Sequence, residues 1–171
     1  LKTELKKITG QGYVSLGYNT ARDYMYGTID NKSGWVTCVY TGRKAQFATR
    51  SDATANNFNC EHTWPQSLFS SNEPMKSDIH HLYSTDETAN GRRSNDPFGA
   101  VTSPTWSDGG SKSNGSIFEP RDEQKGNSAR STLYMAMRYQ NYSNFLNSQE
   151  AILRTWNKQF PPDQTAIDRN N

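Results

Sequence analysis

The chain has little of what usually builds a core: Leu, Ile, Val and Phe together supply 25 of its 171 residues. Scarcity on that scale raises the question of intrinsic disorder. An excess of one charge is missing too, because 19 Lys and Arg face 17 Asp and Glu for a net charge of +2. That balance speaks against self-repelling disorder, and it permits nucleic-acid binding without demanding it. No stretch approaches the roughly 18 consecutive apolar residues that span a bilayer, so no membrane is expected. Two cysteines, Cys38 and Cys60, exclude a disulfide-dense scaffold. They leave either one bridge or two buried thiols. A bridge closing a loop of about 22 residues would contribute about 3 kcal/mol, and an oxidising compartment favours it. The chain begins at Leu1 and shows no leader, which reads as a mature or trimmed product whose export signal has been removed.

What is present is aromatic: 9 Tyr, 7 Phe and 4 Trp, set among Asn, Ser and Thr. A core built on aromatic rings is the expectation, and the length suits one domain over 1–171. Residues 1–30 read as two short helices, because Gly10, Gly12 and Gly17 interrupt the apolar run. Trp35 to Tyr40 and Phe58 to Trp64 read as strands, the second stopped by Pro65. Asp78 to Tyr83 reads as a third strand, followed by a helix from Asp86 to Ser94 with Thr85 as its N-cap. Residues 102–116 look like a surface loop, and helices are expected over Arg121 to Tyr142 and Asn144 to Gln159. The class is α+β.

All three histidines, His62, His80 and His81, fall within one window of 20 residues that also holds Asp78, with Glu61 just before it and Asn90 just beyond. An imidazole titrates near neutrality and suits proton abstraction. Carboxylate and amide oxygens suit Mg²⁺ or Ca²⁺ better than zinc. A base beside an oxygen-lined divalent site is equipment for activating water against a phosphodiester. Glu61 and His62 are adjacent, so both serve one site only if the strand bends or ends there. His80 and His81 alternate on the expected strand, which favours packing roles, and Asp78 is expected to orient a neighbour. A different class of protein, a structural zinc module using Cys38, Cys60, His62 and His80, lacks the paired cysteine spacing such sites favour. A noncatalytic protein with an aromatic-rich groove is the other alternative.

Three ordered segments carry a resemblance: Asn59-Cys-Glu-His-Thr-Trp-Pro-Gln-Ser67, Lys76-Ser-Asp-Ile-His-His-Leu-Tyr83, and Ala89-Asn-Gly-Arg-Arg-Ser-Asn95 with Phe98-Gly99. Together with Phe118 to Gly126, they make the chain resemble the endonuclease I family, secreted or periplasmic nucleases with a ββα-metal site related to HNH nucleases. The resemblance implies two short antiparallel strands plus a helix, wrapped by further helices. It implies His62 as general base, Glu61 and Asn90 as ligands of a divalent metal (Mg²⁺ first, Mn²⁺ or Ca²⁺ as alternatives), and an arginine, Arg93 or Arg92, at the cleaved phosphate. DNA and RNA are the implied partners, met through backbone contacts by a monomer. Some members carry an acidic residue where Lys76 stands, so any role of that carboxylate is absent or supplied elsewhere. An Asn-Arg-Asn-Pro-Phe segment that often follows the last helices in the family is missing after Asn171, so a trimmed C-terminus is expected.

Overall fold

The computed structural model describes residues 1–140 and 144–170. At its centre lies a two-stranded antiparallel ribbon of β4 (Phe58–His62) and β5 (Leu82–Asp86), registered Asn59↔Thr85, Glu61↔Tyr83 and His62↔Leu82. Helix α4 (Glu87–Arg93) leaves β5 without a loop. Asp86 closes the strand and caps the helix, its carboxylate accepting from the backbone N–H groups of Thr88 and Ala89. Positions 86, 90 and 93 then share one helix face, and Asn90 and Arg93 are swung back over β4. This is the ββα unit.

Around it stand α1 (Lys2–Gly10), α2 (Tyr18–Tyr24), the strands β1 (Asn31–Lys32), β2 (Trp35–Thr37) and β3 (Lys44–Gln46) in one antiparallel sheet, and α3 (Arg50–Ala55). After α4 come β6 (Trp106–Asp108), β7 (Ser111–Ser113) and β8 (Phe118–Glu119) in a second small sheet, then α5 (Asp122–Arg138), α6 (Asn144–Asn147), α7 (Glu150–Gln159) and α8 (Gln164–Asn170). Asp122 and Glu123 open α5 and Arg138 closes it, each charge favourable at its end of the helix dipole. Helix α7 packs Leu153 and Trp156 against α5, and Gly126 admits the Phe160 carbonyl so closely that a Cβ would collide with it.

The core is aromatic. Tyr40 and Phe118 pack at 4.7 Å between ring centroids, Phe47 and Phe58 at 5.0 Å, and Trp64 and Phe145 at 5.0 Å. Such rings bury enough area to replace the missing aliphatics. Among the described residues no helix is long and apolar enough to cross a membrane.

Several local expectations are corrected. Asp78 to Tyr83 is not one strand: the Asp78 carboxylate accepts from the His80 N–H at 3.1 Å and bends Ile79–His81 into a 3-10 turn, so β5 starts at Leu82. Thr85 lies within β5, and its hydroxyl donates to Asn59 Oδ1 at 2.9 Å, leaving the cap to Asp86. The strand at Trp35 ends at Thr37, where Gly42 N–H turns back to the Cys38 carbonyl. Residues 102–116 contain the β6–β7 hairpin, whose turn residues Gly109 and Gly110 have φ of 54° and 94°. Positive φ at both central positions matches the twist of paired strands. The helix expected from Asn144 is two, α6 and α7, and the one expected to reach Tyr142 ends at Arg138, with 141–143 outside the described residues. The Cys38–Cys60 bridge is not formed: both thiols are free. Cys38 Sγ accepts from the Asp86 and Thr41 N–H groups, while Cys60 sits against Tyr18 and Glu61.

Candidate active site

Strand β4 sorts its side chains by parity. Asn59 and Glu61 face α4; Cys60 and His62 face α2. On the α4 face the Glu61 carboxylate is buried, and its Oε1 accepts from the Tyr40 hydroxyl at 2.6 Å. The Arg93 Nε lies 3.1 Å from the same oxygen. That N–H does not align with it, so the contact is ionic and the Nε–H stays without a hydrogen bond. The rest of the guanidinium donates to the Thr63 carbonyl at 2.7 Å and the Ser94 carbonyl at 2.8 Å, with Phe98 beneath it. Burial pushes the Glu61 carboxyl up from its ordinary value, and Arg93 and Tyr40 pull it back.

Asn90 lies on the same face. Its Nδ2 donates to Asn59 Oδ1 at 2.8 Å and to the Cys60 carbonyl at 3.4 Å, which fixes the amide and turns its oxygen the other way. The expected ligands Glu61 and Asn90 are thus brought to one strand–helix face. Arg93 is not where a phosphate contact needs it. Fully buried and bonded on three sides, it orients Glu61 instead, while Arg92 beside it is exposed.

His62 lies on the other face. Its Nε2 is 3.1 Å from the Lys76 carbonyl, and because a carbonyl only accepts, Nε2 carries the proton and Nδ1 the lone pair. The ring stands between Tyr18 (5.5 Å) and His81 (5.3 Å). Arg22 lies over the Tyr18 ring at 4.1 Å and Lys76 Nζ at 4.8 Å, two cations on the flank of the imidazole. Burial lowers the His62 pKa to about 3, so the ring is neutral at pH 7. The strand does not end before His62, which still pairs with Leu82; only the backbone of β4 joins the two half-sites. Beyond its pairing with β5, the β4 backbone meets α4 through the Cys60 carbonyl, which accepts from Asn90 Nδ2.

His81 is buried, its Nε2–H donating to the Met75 carbonyl at 2.7 Å, and burial lowers its pKa to about 4. His80 points elsewhere, Nδ1 on Asp78 at 2.7 Å. Asp78 is a buried hub that also accepts from the Tyr134 and Tyr139 hydroxyls at 2.8 and 2.6 Å. Burial alone would raise its pKa, but the bonds from His80 and Tyr139 overcome that and hold it at about 2. These groups set an acid limit. The two histidines take a proton on unfolding between pH 6.5 and their lowered values, so their contribution is complete above 6.5 and fades below it. Asp78 contributes above 3.8 and its share is lost toward 2. The urea midpoint is therefore expected to fall continuously from pH 6.5 downward; equal midpoints at pH 4 and pH 7 would contradict this.

Oxygen donors from one carboxylate and one amide fit a hard divalent ion that keeps most of its water. Among the described residues no cluster of three or more His, Cys, Asp or Glu is disposed to hold a metal. The zinc set fails for a visible reason: Cys38, His62 and His80 are each spent on a different partner. Tyr40 and Asn59 were not singled out from sequence. Asn59 was within reach, since it stands two before Glu61 on a strand; nothing local marks Tyr40.

A sequence profile of the family described as Endonuclease I matches residues 1–171. Two relatives are each named extracellular ribonuclease. One, from Bacillus amyloliquefaciens, is 29% identical over 189 residues; the other, from Bacillus subtilis (strain 168), is 28% identical over 189 residues. Each alignment covers 99% of this chain and 65% of the relative, so the chain spans just under two thirds of the length of these relatives.

Proposed function

From a chain that belongs to the endonuclease I family, with a neutral histidine beside a buried carboxylate–arginine pair, we propose a metal-dependent nuclease that hydrolyses DNA and RNA without sequence preference. The observation that carries this reading is the fixed tautomer of His62, whose Nδ1 lone pair is directed away from its carbonyl anchor. A phosphodiester bound across β4 would meet His62 on one face and Glu61 with Asn90 on the other. His62 takes a proton from water, the water oxygen bonds to phosphorus, and the P–O3′ bond breaks with O3′ taking a proton from solvent, giving 5′-phosphate and 3′-hydroxyl ends. The approaching phosphate anion raises the imidazole toward useful basicity. Glu61 and Asn90 would hold a divalent cation, which would supply charge neutralisation to the reaction. Arg93 keeps Glu61 ionised and aimed, and Asn59 does the same for the Asn90 oxygen. Arg22, Lys76 and Arg92 supply cations for backbone contacts, which give salt-dependent affinity rather than specificity.

The relatives' name supports a nucleic-acid substrate and a place outside the cell. Plasmid and a structured RNA incubated with Mg²⁺ are expected to be cut, and EDTA to stop both reactions. RNA ends should be 5′-phosphates; 2′,3′-cyclic phosphates would show that the ribose hydroxyl attacks and that the water mechanism is wrong.

A further inference from the structure

A groove of about 320 Å³ lies between α5, α8 and the 79–83 segment, and its lining includes Tyr83, the cross-strand partner of Glu61. Its apolar wall includes Ile79, Pro162, Ala166 and Ile167, with Tyr134 also lining it. Arg130 and His80 also line it. Both are held in place. Arg130 donates to the Phe160 carbonyl at 2.8 Å and to Asn127 Oδ1 at 2.7 Å. His80 is pinned through Nδ1 to Asp78, itself tied to the Tyr134 and Tyr139 hydroxyls, so its Nε2 is the nitrogen left for a ligand. The His80 side chain is 37% exposed, whereas the Asp78 carboxylate behind it is fully buried. Asp30 is paired with Arg169, which also bonds the Leu82 carbonyl and anchors α8 to the turn, while Asp163 accepts from the Ala166 N–H on the Arg130 side. The groove is therefore apolar on one side and offers a guanidinium and an imidazole on the other.

We propose that this groove binds one nucleotide unit of a single-stranded nucleic acid, the base against Tyr134 and the Ile79–Ile167 wall, its phosphate against Arg130, and a sugar or base donor on the His80 Nε2 lone pair. Bases stack on aromatic side chains regardless of sequence, here the Tyr134 ring beside the aliphatic wall, and a cationic rim tracks their phosphates. The location suits a substrate subsite. His80 and His81 are consecutive on one tight turn, His80 facing the groove and His81 packing on the His62 ring at 5.3 Å. A strand engaged at His62 has this groove one turn of protein chain away. The inference rests on the nuclease reading for its biological sense, but its test does not require cleavage.

The test uses the intact protein in EDTA with a short single-stranded oligonucleotide carrying 4-thiothymidine. Photocrosslinking followed by peptide mapping is expected to place the adduct in 127–134 or 162–169. Fluorescence anisotropy is expected to show Kd weakened about tenfold by Ile167→Glu, a substitution at an exposed position, and similarly by His80→Gln. A mononucleotide should compete far better than inorganic phosphate. Adducts confined to other peptides, unchanged Kd in both variants, or equal competition by phosphate alone would each overturn the proposal. Because binding is read with metal removed, a chain that binds in this way but never cuts plasmid sinks the nuclease reading and spares the groove. A chain that cuts but fails these tests does the reverse.

Discussion

His62→Ala is expected to lower kcat on plasmid by about a thousandfold, the scale of a lost general base. The ring is packed between Tyr18 and His81, so its removal also leaves a void, and a fall in activity alone would not separate chemistry from folding. His62→Gln separates them. Glutamine keeps a donor for the Lys76 carbonyl and fills most of the space, yet offers no basic nitrogen. Both variants should lose turnover, with the glutamine variant retaining the parent's melting temperature and Mn²⁺ affinity. Turnover surviving in a folded His62→Gln protein would remove the histidine from the mechanism and leave the Glu61–Asn90 face to be explained alone.

Arg93→Met is the second large effect. It strips the counterion from a buried carboxylate, and breaking a buried pair from one side costs about 3–5 kcal/mol, or about 10 °C in melting temperature for a chain of this length. Glu61→Gln should destabilise for the mirror-image reason, leaving a buried guanidinium unpaired. The double variant Glu61→Gln/Arg93→Met buries no charge and should recover much of the lost stability, a coupling that a thermodynamic cycle reads directly. It should not recover cleavage, because the carboxylate proposed to hold the metal is gone. Additive losses in the cycle would mean that the 3.1 Å contact between Arg93 and Glu61 carries no coupling.

These two residues also mark the limit of what the sequence discloses. Glu61, His62 and Asn90 stand out from residue chemistry and spacing, since three histidines crowd one window beside hard oxygen donors. The helix bearing Asn90 is legible from its acidic first turn, and only the cap shifts by one residue, from Thr85 to Asp86. Arg93, expected at the cleaved phosphate, is fully buried: α4 turns positions 90 and 93 inward together, and no local signal in the sequence marks a guanidinium for burial. The β6–β7 hairpin was overlooked although Gly109-Gly110 is a turn signal, because its strands are too polar to alternate visibly. Asp78 to Tyr83 has strand-like composition, and one side-chain bond to the backbone overrides it.

The sequence by itself determined the α+β class, the aromatic core, the ββα unit and the family, because periodicity, turn residues and a contiguous motif are local properties. The tertiary structure alone decided which partners meet. Tyr40 reaches Glu61 across 21 positions, the Lys76 carbonyl selects the His62 tautomer from 14 positions away, and the two thiols face different neighbours. Those choices follow from how separate elements pack against each other, and side-chain packing is set by the whole molecule rather than by any segment of it.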